Sequence, residues 1–135
     1  MPIRTYIDVG VLIAAIRGEQ TIANVALSFL YDPLREYVTS DYVRVELLPK
    51  CTFHRNVEER QFYEEFFKST AINVPSTDEL LALAIEEGGK TGISGIDAIH
   101  VACAIVAGAE ELITAERHEK PMHRANGVKV ISIYP

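Results

Sequence analysis

Cysteine is scarce in this chain: Cys51 and Cys103 are the only two among 135 residues. They lie far apart and belong to no C-x-x-C or Cys/His pattern, which excludes a disulfide framework and a zinc site of familiar spacing. Both are read as reduced, with Cys103 in the core. Long apolar runs are missing as well. The longest weakly polar stretch, Ala98 to Ala109, is interrupted by His100 and falls short of the roughly 18 residues a membrane span needs. The start, Met1-Pro2-Ile3-Arg4-Thr5-Tyr6-Ile7-Asp8, lacks the basic-then-apolar order of a secretory signal, so a cytoplasmic protein without membrane association is expected. Basic charge is also short. Thirteen Lys and Arg against 19 Asp and Glu leave a net charge of −6, which argues against a broad phosphate-binding surface. Any action on nucleic acid must then rest on metal ions and a local basic patch.

What is present reads as ordinary globular protein. The chain is 48% hydrophobic and 24% charged, with nothing repetitive or low in complexity, and it is long enough to bury a core without disulfides. One domain over residues 1–135 is expected.

Strands and helices alternate in the pattern. Arg4 to Ile7 suits a strand, and Val11 to Ile16 a buried helix stopped at Gly18. Gln20 to Tyr31 carries Ile22, Val25, Ala26, Phe29 and Leu30 at helical spacing, ended by Asp32-Pro33. Tyr37 to Thr39 is a second strand. Asp41 to Leu48 reads as a helix closed by Pro49, and Asn56 to Ala71 as another, opened by an Asn56/Glu59 capping box. Ile72 to Val74 is a third strand. Ser76 and Glu79 form a second capping box, for a helix closed by Gly88-Gly89, and Gly92 to Gly95 is a loop. Ile96 to Ala107 is apolar on nearly every side and must be buried between other elements. Glu111 to Thr114 and Val128 to Ile133 are the last strands. The expected class is α/β, a mainly parallel sheet of four to five strands flanked by helices, with ligands beyond the carboxyl ends of the strands.

Four acids sit where acids are costly or well placed. Asp8 ends a strand among Ile7, Val9, Val11 and Leu12, where an uncompensated carboxylate is expensive, although it can also cap the next helix. Glu46 falls between Tyr42 and Val43 on a largely apolar helix surface, or pairs with a nearby base. Asp97 opens the most buried helix and also fits a capping box with Ser94. Glu116 follows the fourth strand directly, where it can equally be a solvated loop acid. Asp8 and Glu116 come from strand ends, Glu46 and Asp97 from adjoining helices. Clustered carboxylates repel unless a cation joins them, and hard oxygen ligands suit Mg²⁺ or Mn²⁺.

The blocks Tyr6-Ile7-Asp8, Val45-Glu46-Leu47, Asp97-Ala98-Ile99-His100-Val101-Ala102 and Leu112-Ile113-Thr114-Ala115-Glu116 resemble, in order and spacing, the PIN domain over nearly the whole chain. The third and fourth together are the most specific. The resemblance is to the short VapC-type toxins of toxin–antitoxin pairs, and it implies a PIN-like three-layer fold, ribonuclease activity, a cognate antitoxin and a homodimer. Carried over by position, it implies that Asp8, Glu46, Asp97 and Glu116 hold one or two Mg²⁺ or Mn²⁺ ions and hydrolyse RNA phosphodiesters to 5′-phosphate and 3′-hydroxyl ends. The chain departs from the family in two places: Val9-Gly10 stands where a hydroxyl residue and then Asn or Ser are usual, and Glu116 stands for Asp.

Thr114 is expected to orient a ligand or water, or only to bond at the strand end. The segment from Arg117 to Arg124 is the densest basic stretch, so Arg117, Lys120 and Arg124 are candidates to meet RNA phosphates, the alternative being an exposed polar helix. His118 and His123 lack a zinc-like partner set, and His100 is expected to be a packed core histidine. A PIN-like module that binds protein without cutting is the alternative function, motivated by Val9-Gly10 and the acidic charge. A phosphoacceptor or phosphatase of another α/β fold would need a second acid near Asp8, and Val9-Gly10 supplies none.

Overall fold

The computed structural model describes residues 1–135. β1 (Ile3–Ile7) leads into α1 (Val9–Arg17) and α2 (Gln20–Leu30), and β2 (Arg35–Ser40) into α3 (Asp41–Phe53) and α4 (Val57–Ser69). β3 (Ile72–Val74) is followed by α5 (Asp78–Thr91) and α6 (Gly95–Val106), then β4 (Glu111–Thr114), a short 3₁₀ turn (Pro121–Arg124) and β5 (Lys129–Ser132). The strands form one sheet in the order β3-β2-β1-β4-β5, and all four pairings are parallel. Helices cover the sheet in a three-layer α/β arrangement. No helix is long and apolar enough to cross a membrane.

The order of strands fixes where a ligand can sit. After β1 the chain moves outward to β2 and β3, and after β4 it moves the other way to β5, so connections leave neighbouring strands β1 and β4 in opposite directions. Such a switch point opens a crevice beyond the carboxyl ends of the strands. Asp8 lies one residue after β1 and Glu116 two residues after β4. α6 packs on both β2 and β4 across the central β1, and Val101, Ala102, Cys103 and Ala104 in it are almost wholly buried. That burial is what an all-round apolar helix requires. Both cysteines are free and buried, and burial pushes the Cys103 thiol up to about 11, which leaves it unreactive.

Four local expectations are corrected. Pro49 does not close α3, which runs on to Phe53. The bond lost at Pro49 frees the carbonyl of Val45, and both residues are exposed, so water can satisfy it. Beyond it, Cys51 joins Leu47 on the buried face, one turn apart. The cap of α5 is Thr77, whose hydroxyl accepts from Leu80 N, while Ser76 bonds Tyr42 instead. Gly88-Gly89 does not end α5. Gly88 is needed because a Cβ there would meet Ile93 O at 2.4 Å, and the helix ends at Gly92, whose φ of +80° suits glycine. Finally, the Arg117 to Arg124 segment is not an exposed helix. It is a turn and one 3₁₀ turn pinned by the fully buried Met122.

Candidate functional site

The carboxyl edge of the sheet is also where α1, α3 and α6 begin, so three positive helix ends face it. Asp8 serves as N-cap of α1, its Oδ1 accepting from Val9 N at 2.7 Å, and its Oδ2 accepts from Thr114 Oγ1 at 2.8 Å. Thr114 in turn accepts from Glu116 N at 3.0 Å, so one hydroxyl ties the ends of β1 and β4 together. Asp8 is 7% exposed. Its capping role and its place at the switch point are therefore not alternatives.

Glu46, in the second turn of α3, receives His100 Nε2 on Oε1 at 2.8 Å, and the same nitrogen lies 3.8 Å from Asp8 Oδ1. The other ring nitrogen, Nδ1, shares a 2.6 Å hydrogen bond with Tyr6 OH. Tyr6 OH shares another of 2.8 Å with Ser40 Oγ, the N-cap of α3. His100 is buried, as expected, but it also touches two of the four acids. The signal for this was its place one turn after Asp97 in an otherwise apolar helix. Nothing in the local pattern of Tyr6 or Ser40 pointed to the site.

Asp97 lies in the first turn of α6, and Ser94 caps that helix without a side-chain bond, so the capping box expected there does not form. Burial raises the Asp97 carboxyl above its ordinary range, the charges of Asp8 and Glu116 push the same way, His100 partly offsets them and Glu46 adds a little. Asp97 thus feels all three other acids. Neither Asp97 nor Glu116 has a hydrogen bond to its side chain, in contrast to Asp8 and Glu46. None of the four pairs with Lys or Arg within 4.0 Å.

The donors fit a hard divalent cation in kind: oxygen only, uncompensated by fixed cations, and gathered at the switch point. They do not form a closed cage, since no three His, Cys, Asp or Glu side chains converge as a ready metal-holding group. Two acids held by hydrogen bonds and two left free suit an ion that keeps part of its water shell.

The Val9-Gly10 departure has a steric reason. A Cβ at Gly10 would stand 2.7 Å from Ala115 Cβ, so glycine is what lets α1 approach the loop that carries Glu116. Val9 is 8% exposed and belongs to the core. The basic segment is partly committed elsewhere: Arg117 lies 4.0 Å over the Tyr134 ring, and Arg124 Nη1 donates to Thr91 O at 3.3 Å. Lys120 is exposed. His123 Nε2 bonds Glu116 O at 2.9 Å, and His118 Nε2 bonds Tyr134 O at 3.1 Å.

Away from this edge, a groove of about 490 Å³ runs between α5 and the start of α6, lined by Leu81, Ile85, Ile93 and Ile99 among others. A depression of about 80 Å³ beside α3 is shared by Glu46, Lys50, Arg17 and Glu59.

Fold and site together define a three-layer α/β protein whose parallel sheet has a switch point bordered by carboxylates without a Lys or Arg partner. The family model described as PIN domain matches residues 5–124. The chain belongs to the PIN domain family, whose members are generally nucleases. Solved structures share its fold, among them the two that follow. VapBC2 from Rickettsia felis, bound to a DNA fragment from their promoter, superposes with a TM-score of 0.69 at 13% identity, covering 96% of this chain and 98% of that one. A toxin–antitoxin complex from Klebsiella pneumoniae superposes with a TM-score of 0.70 at 19% identity over the same shares. Among curated protein sequences none matches the chain.

Proposed function

We propose that the chain is a Mg²⁺- or Mn²⁺-dependent ribonuclease and the toxin of a toxin–antitoxin pair, acting in the cytoplasm as a single domain. The observation that carries this reading is the set of four carboxylates, Asp8, Glu46, Asp97 and Glu116, none of them paired with Lys or Arg within 4.0 Å and all bearing on the charge of Asp97. These residues would hold one or two divalent cations. A cation bound there acidifies water and offsets charge on a phosphodiester. Asp8 and Glu46 bring carboxylates already oriented by Val9 N, Thr114 and His100, whereas Asp97 and Glu116 are free to adjust. Thr114 sets the spacing of Asp8 and Glu116. Arg117 and Lys120 extend toward solvent just past Glu116 and would meet RNA phosphates, while Arg124 is tied to Thr91 O and would contribute less.

An acidic, open edge also suits a cationic partner. An antitoxin that places Arg or Lys among these carboxylates would substitute for the metal. A second copy of the chain would cover the apolar groove between α5 and α6, where Ile85 is 77% exposed.

The test is cleavage of mixed RNAs by the purified chain with Mg²⁺, with Mn²⁺ and with chelator. Cleavage that needs the cation and disappears in Asp97→Asn supports the reading. A folded protein that cuts nothing under any of these conditions rejects it in favour of a module that binds protein without cutting, as the apolar Val9-Gly10 pair suggests.

A further inference from the structure

In a chain of net charge −6, two guanidiniums and an aromatic ring meet at one crevice beside the acids. The crevice holds about 410 Å³, and Gly10 and Ala115 line it, two residues past Asp8 and one before Glu116, so it adjoins the acidic edge. Ile13 and Ala14 of α1 and Ile22 of α2 give it apolar walls, and Arg17, Arg117 and Tyr134 complete it. Arg117 lies 4.0 Å over the Tyr134 ring, and its side chain makes no hydrogen bond or ion pair, so its N–H groups are open. Tyr134 is fixed by its backbone, with N donating to Ser132 Oγ at 3.1 Å and O bonding His118 Nε2 at 3.1 Å, while its hydroxyl is unbonded. Arg17 is half-exposed; its Nε and Nη2 both donate to Glu59 Oε2, which leaves Nη1 open. Glu19 is the one acid in the lining.

We propose that this crevice seats one nucleobase of single-stranded RNA next to the bond to be cut, the base extending the Arg117–Tyr134 stack and its flanking phosphates bonding Arg117 and Arg17. The proposal deepens the reading of the chain as a ribonuclease and rests on it. A base has flat faces that stack on aromatic rings and guanidinium planes, whereas its phosphates need charged donors, and the crevice offers both beside Glu116. Glu19 repels phosphate from the interior, which leaves the interior to the base. An acidic peptide would satisfy the two guanidiniums but would make no use of one that already lies flat on a ring, a stack that a third planar group continues. The helix gives the bound strand a direction. Gly10, Ile13, Ala14 and Arg17 fall on one face of α1, whose nine residues span about 13 Å, so RNA laid along that face passes from Asp8 at its start to Arg17 at its end.

Binding of a mixed-sequence RNA hexamer to the full chain tests it, with chelator present so that nothing is cleaved. The chain has no tryptophan, so Tyr134→Trp places a single fluorophore in the crevice, and the hexamer should quench it. Equal quenching by polyglutamate, an acidic peptide without bases, would assign the crevice to a protein partner and overturn the proposal. Tyr134→Ala should weaken RNA binding by about 10-fold without changing its salt dependence, because a stack and not a charge is lost, and Tyr134→Phe should bind as wild type does. Arg117→Ala should lower the slope of log affinity against log salt by about 0.7, one phosphate contact on a single strand. Arg17→Gln made together with Glu59→Gln, so that no carboxylate is stranded, should do the same. Lys68→Gln, in the last turn of α4 and so toward the opposite edge of the sheet, should change nothing. Unchanged affinity in folded Tyr134→Ala, or an equal loss in Lys68→Gln and Arg117→Ala, overturns the proposal; should Tyr134→Ala not fold, the quenching and the Arg117 slope decide it. Loss of a dimer in place of RNA affinity in Arg117→Ala would give the crevice to a second copy and overturn it as well. Failure of the ribonuclease reading shows separately, as RNA left uncut by the wild type with Mg²⁺ or Mn²⁺, because the binding is read without either ion.

Discussion

The two ends of the sheet treat carboxylates in opposite ways. At the amino ends of the strands, Arg4 pairs with Glu36 at 2.8 Å, and Arg35 pairs with Asp32 at 3.2 Å and with Glu111 at 2.7 Å. Arg35 also reaches Thr5 Oγ1, so one guanidinium binds β1, β2 and β4 together. Toward the carboxyl ends, none of Asp8, Glu46, Asp97 and Glu116 has a Lys or Arg within 4.0 Å, and the charges of the other three all bear on Asp97. A protein able to neutralise acids at one end of its sheet has left them open at the other. The first end is complete as folded; the second keeps its carboxylates without a basic partner.

The largest expected effect lies at the paired end. Arg35→Met leaves Glu111 and Asp32 without their cation in a site where the Arg35 side chain is only 9% exposed, and breaking such a pair costs about 3 kcal/mol. Thermal unfolding should fall by roughly 10 °C, Mn²⁺ should not restore it beyond the rise seen in wild type, and RNA cleavage by the folded fraction should persist. A variant as stable as wild type would remove the contrast between the ends.

Asp97→Asn tests the open end with the opposite pattern. Metal-free stability should stay the same or rise, because one of four mutually repelling charges has gone. The metal-induced rise in melting temperature, worth about 2.7 kcal/mol when Mn²⁺ exceeds its Kd 100-fold, should disappear together with cleavage. An equal rise in wild type and variant would take Asp97 out of the site.

Glu59 sharpens the comparison, because it lines the same small depression as Glu46 but is paired, accepting from Arg17 at 2.6 Å and from Tyr63 at 2.6 Å. Burial pushes its carboxyl up, and the bonds from Arg17 and Tyr63 outweigh burial and bring it below the ordinary 4.5. A lowered carboxyl stabilises the fold above its unfolded value and loses that contribution as pH falls through the folded value. Glu59→Gln should therefore cost about 2 kcal/mol at pH 7, with the gap to wild type closing in acid below pH 4.5. A gap that stays constant from neutral to acid pH would show that charge is not what Glu59 contributes.

The smallest effect expected is at Thr114. Thr114→Val removes the bonds to Asp8 Oδ2 and from Glu116 N and should cost about 1 kcal/mol. Thr114→Ser should restore both stability and Mn²⁺ affinity. Equal Mn²⁺ affinity in Thr114→Val would confine the residue to strand-end bonding.

Much of this architecture was legible without coordinates. Regular elements follow from local patterns, so β3 and β4 fall on the residues that alternation and β-branching indicated, and α6 is as buried as its all-round apolar surface requires. Local signals failed where two of them competed. Pro49 is a strong breaker, yet the α3 face that buries Leu47 and Cys51 outweighs one lost bond at an exposed position. At Ser76-Thr77 both residues can cap, and Ser76 was taken by Tyr42 from α3. The basic segment looked like a polar helix because the core position of Met122 is set by residues distant in sequence.

What the chain determined by itself was the set of elements, their mainly parallel arrangement and the four acids near strand ends and helix starts, because hydrophobic period, caps and strand-end placement are local properties of sequence. Only the tertiary structure decided which acids are paired and which are not. Arg35 meets Glu111 across 76 positions, and Tyr6 meets His100 across 94. Nothing local distinguishes Glu111, neutralised at one end of β4, from Glu116, left open just beyond the other. The difference is that a strand of four residues carries them to opposite edges of the sheet, one beside an arginine and one near enough to Asp97 to push its carboxyl up.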